Sequence, residues 1–139
     1  MLMPGDRVLL KAIEAVKYIL NKAGCIHPFR LSRILALADL KYLRDKGERL
    51  TDATYRRGPG AFYIEGLKEE ISDNPCYVKR EGDPDKGVKG CIEYKCEPPE
   101  LPSEPARYID EAIKEASSLD DMDLNKIVVK DPLFEKLFY

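Results

Sequence analysis

The residues best suited to catalysis are one histidine and four cysteines. Any Cys-His or Ser-His-Asp catalytic set would have to use His27, which lies directly before Pro28. Proline suits the first position of a helix, because its missing N–H costs nothing there. We therefore predict that His27 marks the start of a helix and that the chain is not an enzyme. An enzyme would need a pocket or a metal that the sequence does not indicate.

The cysteines do not have the spacing of a metal or redox motif. They are Cys25, Cys76, Cys91 and Cys96, and none form a Cys-x-x-Cys pair. A zinc ion held by these four scattered cysteines is therefore the weaker alternative. We predict that the protein binds no metal and no cofactor. If a β-hairpin turns near residue 84, Cys76 lies opposite position 92, one register step from Cys91. A cross-strand disulfide between Cys76 and Cys91 is then a hypothesis, with free thiols as its alternative.

Asp39 is the most unusual single position, because it lies in the apolar run 35–40. A buried carboxylate is costly unless it is paired, and Arg56 or Arg57, beside the break at Gly58-Pro59, is a candidate partner. The favoured interpretation is structural: the pair ties a helix to this loop. The alternative is that it shapes a recognition surface. The loop lacks the pattern of a phosphate-binding loop.

Helical spacing of apolar residues predicts most of the elements. Helix one spans 7–23, capped by Asp6, and helix two spans 28–46 and is apolar on most sides, so we expect it to be the buried hub. A third helix is predicted over 61–71 and another from about 104 to 117, capped by Ser103. Asp121 or Asp123 caps a short helix after that, and the apolar tail 133–139 docks on the domain or on a partner.

One segment has β character. Residues 76–80 and 88–96 flank a loop rich in turn formers, which is typical of a β-hairpin. The chain is therefore predicted to be a single small α+β domain over 1–139, mainly α with one β-hairpin (about 76–96) and helices over about 104–139. The order of helices and hairpin also fits a winged helix loosely.

Composition restricts the classes of partner. The net charge of −2 gives no reason to expect nucleic acid, but residues 1–60 hold 12 Lys and Arg against 6 Asp and Glu. A basic and an acidic face are one interpretation, and ordinary surface variation is the other. No apolar run is long enough to span a membrane, and residues 1–6 do not resemble a signal peptide, so we predict a cytoplasmic protein. The absence of Gln and the 35% of charged residues suggest a thermophilic source.

The string 33–52, with its Ala-Asp-Leu run, Gly47 and Leu-Thr-Asp, resembles the core of the Panacea domain, the family of SocA-like antitoxins. Tyr55, Gly58-Pro59 and Leu67 fit the same pattern, and 122–134 is similar to the closing element of the family. Arg57 stands where the family usually has tyrosine before Gly-Pro.

The resemblance implies a mainly α domain with a small β element, and a regulator that neutralises a toxin by direct contact with a protein partner. It brings no catalytic residues. It makes Asp39 and Gly58-Pro59 pattern positions, whose role we interpret as structural.

A DNA-binding winged helix is the alternative function. Its candidate contacts are basic residues of the N-terminal half and of the hairpin: Arg30, Arg33, Arg49, Lys79, Arg80, Lys86 and Lys89. Against it, helix two is too apolar to expose the basic face that a recognition helix needs.

Overall fold

The second helix, α2, lies at the centre of the molecule. In the computed structural model, which describes residues 9–138, α2 spans Pro28–Lys46, as predicted. Every residue from 31 to 40 is buried. His27 begins the helix, because its Nδ1 accepts a hydrogen bond from the Phe29 amide (3.0 Å). Gly47 ends it with a φ of 75°, which glycine adopts without strain.

The other elements pack around this hub. Helix α1 (Ala12–Ala23) precedes α2. After α2 the chain forms, in order, β1 (Tyr55–Gly58), β2 (Ala61–Ile64), α3 (Leu67–Asp73), β3 (Tyr77–Arg80), β4 (Cys91–Tyr94), α4 (Ser103–Ser117) and α5 (Asp121–Val129). Helices α1, α4 and α5 contact α2 directly, and so does a 3-10 helix, Phe134–Phe138, at the end of the described chain. The prediction of a small α+β domain is confirmed.

Helix boundaries differ slightly from the predictions. Helix α1 begins at Ala12, and the predicted cap Asp6 lies outside the described residues. Helix α4 begins at Ser103 itself, with Pro102 as the cap residue. Asp120, rather than Asp121 or Asp123, caps α5 by accepting a hydrogen bond from the backbone N–H three residues later (2.8 Å).

The apolar tail is docked, because Phe134 and Leu137 are both buried. The ring of Phe134 lies 5.5 Å from that of Phe62. Of the two predicted alternatives, docking on the domain or on a partner, the structure shows the first for residues 134–138.

The described part of the chain forms two antiparallel strand pairs, of which one was predicted from the sequence. Strands β3 and β4 are the predicted hairpin. Strands β1 and β2 form a second pair, and their register places Tyr55 opposite Ile64. The prediction of a helix over 61–71 is therefore wrong at its start: residues 61–64 are a strand, and α3 begins only at Leu67. Alternate burial of Phe62 and Ile64 shows the two-residue period of a strand.

A two-residue loop explains this difference. Pro59 and Gly60 connect β1 to β2, and Gly60 has a φ of 74°. Proline followed by a glycine of positive φ is typical of a type II turn. The break therefore reverses the chain within a hairpin instead of separating a loop from a helix.

The structure contains two disulfides, Cys25–Cys91 and Cys76–Cys96. The predicted Cys76–Cys91 bond is wrong, and so is the zinc alternative. The hairpin turns later than predicted: Tyr77 lies opposite Tyr94, and the Lys95 amide donates to the Cys76 carbonyl (2.8 Å). Cys76 is therefore placed beside Cys96.

The Cys25–Cys91 disulfide attaches the hairpin to the α1–α2 connection. Ile26 and Ile92 exchange two backbone hydrogen bonds of 3.2 and 2.9 Å, which brings Cys25 next to Cys91.

Between residues 9 and 138 no helix has the length and apolarity to cross a bilayer, and no cluster of His, Cys, Asp and Glu could hold a metal ion.

Candidate binding cleft

Asp39 is the best-satisfied polar group of the core. Its carboxylate is fully buried and accepts five hydrogen bonds. The donors are Arg49 Nη2 (3.1 Å), the amides of Leu50 (3.1 Å) and Thr51 (2.8 Å), Thr51 Oγ1 (2.9 Å) and Tyr55 Oη (2.7 Å). The carboxylate thereby fixes the segment between α2 and β1. The structural interpretation of Asp39 agrees with this arrangement.

The predicted partners of Asp39 are wrong. Arg56 and Arg57 are exposed on β1, where Arg56 pairs with Glu65 (3.1 Å) and Arg57 pairs with Glu135. The cation that reaches Asp39 is Arg49, which also donates to the Ala53 carbonyl (2.8 Å). Arg49 lies three residues after the end of α2 at Lys46, and the turn at Gly47 brings it back toward the helix.

The hydroxyl of Tyr55 gives this network a measurable signature. Burial raises the pKa of Tyr55 well above its usual value, and the nearby Asp39 carboxylate raises it further. On α1, burial and a hydrogen bond to Asp110 raise the pKa of Tyr18 to about 12. The folded state therefore favours both protonated phenols.

We expect an alkaline limit to stability from these two tyrosines. A raised pKa in the fold contributes stability that is fully present below pH 10, the unfolded value, and is lost as pH rises toward 12 and beyond. Absorbance of phenolate near 295 nm should show Tyr18 and Tyr55 titrating late in the native protein. In denaturant, all eight tyrosines should titrate near the ordinary value. Superimposable native and denatured curves would contradict this prediction.

Three of the predicted DNA-contacting arginines are used inside the fold. Arg30 pairs with Asp121 (2.9 Å) and donates to the carbonyls of Ala116 and Leu119. Only 2% of the Arg33 surface is exposed, and Arg49 forms the ion pair with Asp39. Their assignment as DNA contacts is corrected, because their guanidinium groups are already committed to internal acceptors.

The four predicted contacts on the β3–β4 hairpin are exposed. Arg80 pairs with Glu93, Lys86 lies 4.0 Å from Asp83, and Lys89 pairs with Asp121 (3.0 Å). Lys79 has no carboxylate within ion-pair distance among the described residues. Of the hairpin cations, Lys79 therefore presents the least neutralised charge.

A cleft of about 580 Å³ lies between the two strand pairs. Its lining comes from the start of α2, from β2 and α3, and from the β3–β4 hairpin. The lining residues are His27, Pro28, Phe29, Ser32, Arg33, Pro59, Phe62, Tyr63, Ile64, Leu67, Lys68, Ile71, Lys79, Arg80, Glu81, Gly90, Cys91 and Ile92. Its volume is within the range of pockets that bind ligands.

The interior of the cleft is apolar and its rim is polar. Phe62, Leu67 and Ile71 are buried along its inner surface, while Tyr63 is 49% exposed. A β-carbon on Gly58 would lie 2.8 Å from the Tyr63 ring, so the glycine leaves room for this ring against the turn. The predicted site residues Gly58 and Pro59 thus support one edge of the cleft.

Arg33 lies at the inner end of this cleft and stacks against two aromatic rings. Its Cζ is 3.8 Å from the centroid of Phe29 and 4.0 Å from that of Phe62. It donates to Asn125 Oδ1 (2.9 Å), the Phe62 carbonyl (3.1 Å), Ser32 Oγ (2.9 Å) and the Gly60 carbonyl. Burial lowers the pKa of Arg33 to about 10, so the guanidinium is still charged at neutral pH.

Two residues that line this cleft, Tyr63 and Lys68, were not among the site residues predicted from the sequence. Residues 61–64 read Ala-Phe-Tyr-Ile, and a short run of apolar residues does not distinguish a strand from a helix, so no local signal placed Tyr63. No local signal places Lys68 near Lys79, because they lie on different elements.

No protein-family model, curated protein or solved structure matches this chain, so the similarity of 33–52 to the Panacea domain stays a prediction from residue patterns.

Proposed function

We propose that this chain is a non-enzymatic, protein-binding regulator, resembling an antitoxin, and that it holds a segment of its partner in the cleft between the two strand pairs. The observation that carries the proposal is the open apolar cleft with the half-exposed Tyr63 at its edge. Tyrosine is one of the residue types enriched among those that dominate binding energy.

The state of the reactive side chains supports binding over catalysis. The His27 ring accepts the helix-capping hydrogen bond from Phe29, and Cys91, the cysteine that lines the cleft, is bonded to Cys25. Neither is arranged as the nucleophile or base of a Cys-His set.

Co-expression with the product of the adjacent gene tests this proposal. We expect a stable complex and, if that product is toxic, rescue of growth. Tyr63→Ala should weaken the complex by about 1–3 kcal/mol, the cost of truncating an aromatic side chain that contacts the partner. Ile127→Ala is the matched control, because Ile127 is similarly exposed at 40% on α5 and does not line the cleft. Equal effects of the two substitutions, or no complex, would contradict the proposal.

DNA binding through the β3–β4 hairpin is the second candidate. The exposed Lys79, Lys86 and Lys89 favour it, whereas the internal use of Arg30, Arg33 and Arg49 leaves fewer cations for phosphates. A mobility shift that weakens steeply with salt would support it.

A further inference from the structure

Arg33 is a buried cation without a resident anion. Its four hydrogen-bond acceptors, three of them in Ser32, Gly60 and Phe62, are all neutral. No carboxylate among residues 9–138 lies within ion-pair distance of it. Asp121 interacts with the Arg33 guanidinium electrostatically, but its carboxylate already forms ion pairs with Arg30 and Lys89. Buried charges in proteins are usually paired, so the inner end of the cleft retains uncompensated positive charge.

The rim of the cleft carries further positive charge. Lys68 on α3 and Lys79 on β3 are exposed, and neither has a carboxylate within ion-pair distance in the described part of the chain. Arg80 is half neutralised, because Glu93 accepts from it and also from Lys95 (2.5 Å). Among residues 9–138, Glu81 is the one acidic residue in the lining. Clefts lined by charge of one sign attract ligands of the opposite sign.

We propose that the cleft binds an acidic segment of the partner protein, in which carboxylates flank an aromatic or aliphatic anchor. This inference rests on the proposed function and specifies the chemistry of the occupant. The anchor enters the apolar interior beside Phe62 and Tyr63. The carboxylates lie close to Lys68 and Lys79, where the positive electrostatic potential of Arg33 also attracts them. Charge complementarity selects the partner and its orientation, while apolar burial supplies affinity.

An acidic protein segment fits this site better than nucleic acid. The exposed Lys68 and Lys79 border an apolar interior, which side chains fill and a phosphate backbone does not. The free cations in the lining are few, whereas nucleic-acid binding needs many phosphate contacts. The proposal therefore commits to a protein segment, and duplex DNA enters the test as a competitor.

The test is an amide NMR titration of the full chain with three capped six-residue peptides. Each peptide carries the same two phenylalanines, and the other four positions are all acidic, all serine or all lysine. We expect the acidic peptide to bind at least about tenfold more tightly than the serine peptide at low ionic strength, with shifts centred on Tyr63, Lys68 and Lys79. Raising the ionic strength to about 1 M, where the Debye length is roughly 3 Å, should remove most of this preference.

A pair of charge-reversed variants supplies the control. The double substitution Lys68→Glu and Lys79→Glu should abolish the preference for the acidic peptide. The double substitution Lys130→Glu and Lys136→Glu changes the net charge equally at exposed residues outside the cleft and should retain it.

Several results would overturn the inference. These are equal binding of the acidic and serine peptides, shifts centred away from the cleft, no binding of any peptide, or displacement of the acidic peptide by an equal concentration of duplex DNA. The proposed function has a separate test, because a complex with the adjacent gene product that depends on Tyr63 would stand even if the acidic peptide fails.

Discussion

Replacing Asp39 with alanine is expected to destabilise the protein by about 3–5 kcal/mol, the usual cost of breaking a buried charge network. The substitution leaves the Arg49 guanidinium without its carboxylate. It also removes the acceptor of the amides of Leu50 and Thr51 and of the Tyr55 hydroxyl. Donors left unsatisfied in the core add to the cost. Chemical denaturation, with the free energy of unfolding extrapolated to water, measures the effect.

Two further variants separate the network from simple loss of charge. Asp39→Asn keeps the volume but presents an amide to five donors, so we expect it to be strongly destabilised as well. Asp85→Asn removes one negative charge from an exposed position in the short 3-10 helix Pro84–Lys86 and should change stability by no more than about 0.5 kcal/mol. A loss below about 1 kcal/mol for Asp39→Ala would show that the network is not formed.

The second large effect is expected from the Cys25–Cys91 disulfide. Its cysteines are separated by 66 positions in the sequence, against 20 for Cys76–Cys96. Loop-closure entropy then gives a stabilisation of about 4 kcal/mol for the first disulfide and about 3 kcal/mol for the second. Replacing both members of the longer-range pair with serine should therefore cost more than replacing both members of the shorter-range pair.

Thermal unfolding of the two double variants, compared with the unsubstituted chain, measures this difference. Mass spectrometry of peptides from an unreduced digest identifies the pairing directly, and we expect no free thiols in the denatured, unreduced protein. Peptides joined through Cys76 and Cys91, or four free thiols, would contradict the structure.

The two disulfides also restrict the cellular compartments in which the protein can be stable. Disulfides persist in oxidising compartments and in the intracellular proteins of hyperthermophiles. The predicted thermophilic source would reconcile two disulfides with the predicted cytoplasmic location. These two predictions therefore depend on each other.

Helix α2 could be predicted from the sequence because several local signals agree. Pro28 starts it, Gly47 stops it, and the apolar residues between them cover most of its faces. The hairpin β3–β4 was predicted for a similar reason, since turn formers separate two segments of β character.

Features set by register or tertiary contact could not be predicted in this way. Ile64, Leu67 and Ile71 have the spacing of one face of a helix, so the sequence predicted a helix where strand β2 forms. A hairpin turn centred only one to two positions later than expected paired Cys76 with Cys96. The partner of Asp39 was uncertain for the same reason, because the backbone path after Gly47 decides which arginine returns to α2.

The cleft is a tertiary feature as well. Phe29, Tyr63, Lys68 and Lys79 lie on four different elements, and only the packing of both strand pairs against the start of α2 brings them together. Sequence patterns indicated a basic N-terminal half but could not show that Arg33 is buried. The neutral partners of this arginine became visible only with the fold.

Hydrogen–deuterium exchange of the chain, alone and with the product of the adjacent gene, tests the central claim most directly. Binding of a partner segment in the cleft predicts slower exchange at the amides of β2, α3 and β3, with α4 unchanged. Protection confined to α4, or exchange that is identical with and without the partner, would contradict it.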